Sequence, residues 1–176
     1  MSGSLTRKDI QISKGAVVCV ESKLQGMISI GAKTLVHPKA SVVGDAGPIV
    51  IGESNIFEEQ SVIHHRSDIG TDRPKTMVIG SNNVFEVGCV IHAKSIGDNN
   101  VFESKCYIGP DIEVGNGCII GAGVSLSVKE KLRDNIVITG SEYHRAIAPE
   151  KPPPQTLQLD FLSKVLPNYH HLWKPK

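Results

Sequence analysis

The chain has 176 residues, a single-domain length, and its 19 Lys and Arg against 18 Asp and Glu leave a formal charge of +1. That balance lacks the basic excess of a nucleic-acid or membrane-surface binder, and no apolar run approaches the ~20 residues that span a bilayer. Aromatics reach only 5% while Gly supplies 17 residues, so Ile and Val must fill the core between Gly-rich turns, which favours β structure.

The N-terminus, Met1 to Lys8, carries no apolar h-region, so no secretory signal is expected. The four cysteines are then expected in a reducing, cytoplasmic compartment. From Ile12 an apolar residue recurs at every sixth position: Ile12, Val18, Leu24, Ile30, Val36 and Val42. The phase resumes at Ile51, Phe57 and Ile63, and again at Ile79, Phe85 and Ile91; after one dropped residue come Ile96, Phe102, Ile108, Val114, Ile120 and Leu126. Neither the helical period of 3.6 nor the strand period of 2 sustains such a pattern. It describes short strands turning at regular corners, a solenoid.

Other positions keep the same phase. Gly follows the apolar residue at Gly31, Gly52, Gly80, Gly97, Gly115 and Gly121. Four residues after it stand small side chains: Ala16, Ser22, Thr34, Ala40, Ser61, Cys89, Cys106, Cys118 and Val124. Ser81-Asn82-Asn83 and Asp98-Asn99-Asn100 place Asn where a corner needs unusual backbone angles. A tetrapeptide repeats as Asn55-Ile56-Phe57-Glu58, Asn83-Val84-Phe85-Glu86 and Asn100-Val101-Phe102-Glu103, so the three Phe are expected to stack on successive rungs about 4.8 Å apart. Between the first two copies lie ten residues beyond three hexapeptides, read as a loop at about 65–78 containing Gly70, Thr71, Asp72, Arg73 and Pro74.

Lys151-Pro152-Pro153-Pro154 stops the repeat. Thr156 is expected to cap a helix with Leu157, Phe161, Leu162, Val165 and Leu166 on one apolar stripe, ended by Pro167. Such a helix lies along the coil or covers its open end. The tail then leaves Trp173 at an exposed terminus. The division expected is 1–150 for the solenoid and 151–176 for a Pro-rich linker, helix and tail.

Over roughly Ile10 to Ala146 the hexapeptide pattern resembles the left-handed parallel β-helix family, an all-β class; the left hand is implied by the resemblance. That family includes acyltransferases and gamma-class carbonic anhydrases. His64 and His92 each follow a Phe of the tetrapeptide by seven residues, so they stack on neighbouring rungs and are the candidate metal ligands. Ser61-Val62-Ile63-His64 and Val90-Ile91-His92 are similar to the carbonic anhydrase pattern. The third histidine of that pattern, five residues before the last and donated across a trimer interface, is Val87 here, and its Asn and Gln fall on Ile56 and Glu58. A catalytic zinc needs three protein ligands, so no catalytic residue, metal or cofactor is expected. Acyl transfer, with His64, His65 or His92 as general base, is the other enzymatic alternative. Cys89, Cys106, Cys118 and Cys19 lack metal-binding spacing and read as small core residues.

Gly15–Ser22, Ala46–Glu53, Asn82–Cys89 and, above all, Gln155–Leu162 with Leu166–Leu172 resemble the β-helical pointed-end subunits of dynactin. The resemblance implies a non-catalytic structural subunit serving dynein-dependent transport at the cytoskeleton. Its implied partners are dynactin subunit 5, the actin-related pointed-end protein and dynactin subunit 4. The residues expected to meet a partner are Glu58, Glu86 and Glu103 on one edge, and Phe161, Leu162, Tyr169 and Trp173 in the C-terminal block.

Overall fold

The computed structural model describes residues 9–67 and 74–175, so most of the expected loop tip, including Gly70, Thr71, Asp72 and Arg73, lies outside the described residues. The chain winds into a parallel β-solenoid with three flat faces. Ile10–Ile12, Ile28–Ile30, Ile49–Ile51, Met77–Ile79, Ser95–Ile96, Ile112–Val114 and Glu130–Leu132 form the first face. Val17–Val18, Leu35–Val36, Ile56–Phe57, Val84–Phe85, Val101–Phe102, Ile119–Ile120, Ile136–Thr139 and an antiparallel His144–Ile147 form the second. Lys23–Gln25, Ser41–Gly44, Val62–His65, Val90–Ile91, Tyr107–Ile108 and Ser125–Leu126 form the third.

Each strand lies in register on the equivalent strand of the previous coil, as in Ile30 on Ile51 and Phe57 on Phe85. Because alternate side chains of a strand point to opposite faces, the six-residue periodic positions all turn inward. All of them are buried except Leu24, which is half-buried in the first coil. The phase continues past Leu126 to Leu132 and Ile138, both buried. Phe57 stacks on Phe85 with ring centroids 4.6 Å apart, and Phe85 on Phe102 at 4.9 Å. Each fully buried ring contributes on the order of 2 kcal/mol through apolar burial.

At the corner between first and second faces, one residue per coil takes positive φ: Gly15, Lys33, Ser54, Asn82, Asn99, Gly117 and Asn135. Asn82 and Asn99 thus serve as the sequence implies, but Asn83 and Asn100 do something else. They are fully buried, and with Asn55 they form a side-chain ladder along the inside of the corner. Asn55 Oδ1 accepts from Asn83 N–H at 2.9 Å while its Nδ2 donates to Gly80 O at 2.9 Å. Asn83 repeats the pattern with Asn100 N–H and Gly97 O, and Asn100 repeats it with Cys118 N–H and Gly115 O. The glycines beside this ladder are required by close approach, because a Cβ on Gly80 would sit 2.5 Å from Gly97 O.

Every change in coil length falls at the corner between third and first faces. Against an 18-residue coil, the register adds three residues between Gly44 and Ile49 and ten between His65 and Met77, and drops one between His92 and Ser95.

The C-terminal segment differs from expectation in several respects. The helix spans Thr156–Tyr169; Gln155, not Thr156, is its N-cap, without a side-chain cap bond, and Pro167 lies inside the last turn. That proline is tolerated because it removes only one late N–H bond, and His170 N–H still reaches Leu166 O at 3.0 Å. The helix lies along the second face, with Leu159, Leu162 and Leu166 packed on Val17, Cys19, Leu35, Ile56 and Val84. Leu157 and Phe161 face solvent, so the expected single stripe is divided between two sides of the helix. Trp173 is not exposed. Leu172 bridges Cys19 antiparallel, Trp173 N–H donates to Val18 O at 2.8 Å, and the indole packs half-buried on the main core. The tail therefore covers the first strand of the second face, while His144–Ile147 covers its last.

Replacing Asn83 by Ala strands the buried Gly97 O and Asn100 N–H, at about 1–3 kcal/mol for each unpaired group. Asn82→Ala instead imposes positive φ on an alanine, costing about 1–2 kcal/mol. In urea unfolding the first variant is therefore expected to lose more stability than the second; equal losses contradict the ladder's role.

Candidate functional site

The variable corner gathers the histidines. His64 Nε2 donates to Asp45 Oδ2 at 2.6 Å, and both side chains are about one-third exposed. His92 Nδ1 lies 3.1 Å from His64 O; since a carbonyl only accepts, Nδ1 carries the proton. The two rings are 5.7 Å apart and inclined by 56°, and His92 meets Tyr107 edge-on at 5.6 Å. His65, fully buried, points Nε2 at Lys75 O at 3.3 Å and its carbonyl accepts from Asp45 and Ala46 N–H, which pins both insertions together.

The residues present do not fit a catalytic zinc. Among the described residues no three His, Cys, Asp or Glu side chains converge as ligands. Val87 follows Val84–Phe85 on the second face and so stands at a different corner from His64 and His92. The Asp45–His64 pair orients one imidazole, and a general base would further need a substrate proton within hydrogen-bond reach.

The cysteines are structural by environment. Cys19, Cys89, Cys106 and Cys118 are all buried and free. Burial pushes the Cys19 and Cys118 thiols up to about 11, and a hydrogen bond with Cys106, then burial, pushes Cys89 up as well. Thiols held protonated are poor nucleophiles.

Glu58, Glu86 and Glu103 form the expected column at the outer edge of the second face and are half-buried. Glu58 Oε2 accepts from Val87 N–H at 3.2 Å, and Glu86 Oε2 accepts from Ser104 N–H at 2.9 Å and Ser104 Oγ–H at 3.2 Å. The column thus binds each coil to the next. Burial, then Glu86, raises the carboxyls of both Glu58 and Glu103. Glu58 Oε1 also accepts from Gln158 Nε2 at 3.4 Å, bringing the column against the helix.

The C-terminal block divides in two. Leu162 and Trp173 are spent on the chain's own packing. Phe161 and Tyr169, 64% and 77% exposed, form an outer stripe with Leu157, 86% exposed, which the single-stripe expectation did not separate from the inner face. The signal for the division was present: on the second face the residue before each inward position is also apolar, as in Val17, Leu35, Ile56 and Val84, and this outward column is where the helix docks.

A family profile described as "Bacterial transferase hexapeptide (six repeats)" matches residues 93–127. Dynactin subunit 6 of Xenopus tropicalis is 52% identical over 171 residues, covering 94% of this chain and 85% of that protein. Dynactin subunit 6 of Danio rerio is 53% identical, covering 96% and 89%, and that of Nematostella vectensis 44%, covering 96% and 95%. Among solved structures, a hexapeptide transferase family protein from Anaplasma phagocytophilum superposes with a TM-score of 0.68 at 18% identity, covering 91% of this chain and 88% of that one. The Francisella novicida UDP-N-acetylglucosamine acyltransferase gives 0.57 at 18%, covering 92% and 72%. At such identities the structural likeness establishes the fold alone.

Two measurements follow from this geometry. After equilibration with zinc and desalting, elemental analysis is expected to find well under one equivalent; a stoichiometric zinc lost in His64→Ala or His92→Ala contradicts the reading of an incomplete ligand set. Glu58→Gln keeps an oxygen for Val87 N–H and removes the charge. A carboxyl raised in the folded state stabilises at low pH, and that contribution is lost as pH rises through its folded pKa. The variant is therefore expected to match the parent in urea unfolding at pH 4 and to exceed it by up to about 1 kcal/mol at pH 7.

Proposed function

The chain belongs to the dynactin subunit 6 family, and on that premise we propose that it is a non-catalytic structural subunit of dynactin's pointed-end complex. It supports dynein-dependent transport along microtubules through protein contacts, in the cytoplasm and at the cytoskeleton. The observation that carries this reading is the division of the C-terminal helix. Its inner side packs on the coil through Leu159, Leu162 and Leu166, while Leu157, Phe161 and Tyr169 stand outward. Exposed aromatics on an ordered scaffold are the side chains that most often anchor protein interfaces. Leu162 holds this surface from beneath, Trp173 anchors the tail on the main core, and Glu58 of the Glu58, Glu86 and Glu103 edge meets the helix at Gln158.

Dynactin subunit 5 is the first partner expected, with the actin-related pointed-end protein and dynactin subunit 4 in the same assembly. The enzymatic alternatives rest on His64 and His92, and Val87 stands where the carbonic anhydrase pattern needs its third ligand. Among the described residues, no helix is long and apolar enough to cross a membrane.

The test is binding to purified dynactin subunit 5. Phe161→Glu with Tyr169→Glu is expected to weaken binding tenfold or more, the loss of about 1.4 kcal/mol typical of an interface anchor, with unchanged circular dichroism. Wild-type chain that binds no pointed-end component, or a double variant that binds normally, overturns the reading.

A further inference from the structure

Beneath the helix lies a histidine that neither the fold nor the proposed interface uses. His37 follows Val36 at the end of a second-face strand, in the same outward column as Cys19 and Glu58. Cys19 N–H donates to Val36 O, and His37 N–H donates to Phe57 O. Both column neighbours touch the C-terminal segment: Cys19 bridges Leu172, and Glu58 accepts from Gln158. The helix therefore passes over His37. Its Nε2 is buried and makes no hydrogen bond among the described residues.

The covering layer is lightly held. Leu166 is the one buried residue of the helix, its N-cap makes no side-chain bond and Pro167 removes a late backbone bond. Pro152, Pro153 and Pro154 separate it from the last strand. The tail adds two backbone bonds, from Val20 N–H to His171 O at 2.9 Å and from Trp173 N–H to Val18 O at 2.8 Å. His170 Nδ1 also stands 3.5 Å from Glu21 Oε1.

We propose that the helix and tail form a latch on the second face that acid opens, with His37 as the group whose protonation releases it. Charging an imidazole whose Nε2 is buried with no acceptor is opposed by desolvation. Burial is the largest influence holding the His37 pKa below its ordinary value; Glu59 opposes it and His170 reinforces it. Among the described residues, further titratable groups that register and sequence bring toward it are Glu58 and Cys19 in its column, Lys39 in its own turn, Glu21 in the first coil and His171 in the tail. A base whose pKa is depressed when covered takes up its proton more readily when uncovered. Acid therefore favours the open latch as pH falls below the free-histidine value of about 6.5, by up to about tenfold per pH unit. Glu58, whose carboxyl is raised by burial and then by Glu86, titrates with the opposite sign. The inference concerns the chain's own conformation and does not depend on what the outer stripe binds.

Trp173, the single tryptophan, reports the latch directly. Between pH 8 and pH 5 its emission is expected to shift to the red, reversibly, while the far-ultraviolet dichroism of the sheets stays constant. Hydrogen exchange of the same wild-type chain should show residues 156–173 losing protection with the coil intact. His37→Gln is expected to keep the blue emission to pH 5, and His170→Gln to retain the transition. Emission and exchange unchanged in the wild type down to pH 5, or the same transition in His37→Gln, overturns the proposal.

Discussion

The solenoid depends on one constraint: each coil must pair with the next residue for residue, because a slip by one would turn every inward side chain outward. Held in that register, like residues stack on like. The Phe57, Phe85 and Phe102 rings lie nearly parallel, interplanar angles being 5° and 4°. Asn55, Asn83 and Asn100 pass hydrogen bonds from coil to coil. The Glu58 and Glu86 carboxylates accept backbone N–H groups of the following coil. Insertions and the deletion are confined to the corner that bears none of these ladders, so length can vary there without shifting the register of any face.

A stack of coils is otherwise a one-dimensional structure in which each repeat feels only its neighbours. The C-terminal segment alters that. After the last coil it returns along the second face and docks on the first coils, joining the two ends of the array. An antiparallel strand, His144–Ile147, and the antiparallel Cys19–Leu172 bridge close the two edges of the second face. Each sends a side chain toward the coil axis: Trp173 opposite Val18, and Arg145 opposite Ile138, from where Arg145 Nη2 reaches Glu130 Oε2 at 2.9 Å. Strand edges that would otherwise recruit foreign chains are covered.

Much of the fold was legible because a period of six leaves one position per strand with no choice but to be apolar. That requirement located the inward residues through Leu126, the Phe stack and the corner residues Asn82 and Asn99. The ladder role of Asn83 and Asn100 was not legible, since a buried Asn and a turn Asn look alike until the carbonyl of the next coil is in place. Nor was the docking side of the helix. Leu157, Phe161, Leu162 and Leu166 fit one helical stripe on spacing alone, and only the outward apolar column of Val17, Leu35, Ile56 and Val84 decides which of them face the coil. Trp173 was misread for a related reason: a tail's burial depends on the strand edge it pairs with, far away in sequence. At the histidine corner the sequence correctly paired His64 with His92 but did not reveal Asp45, which an insertion brings within reach.

On the proposed reading, a coil held in register carries one outward apolar surface on its C-terminal helix, and partners meet that surface and not the histidine corner. Hydrogen exchange of the full chain, free and saturated with dynactin subunit 5, tests that claim most directly. New protection should appear on residues 156–170 and along the Glu58, Glu86 and Glu103 edge, with the histidine corner unchanged. Protection concentrated instead around Asp45, His64 and His92, or no protection at all, would contradict it.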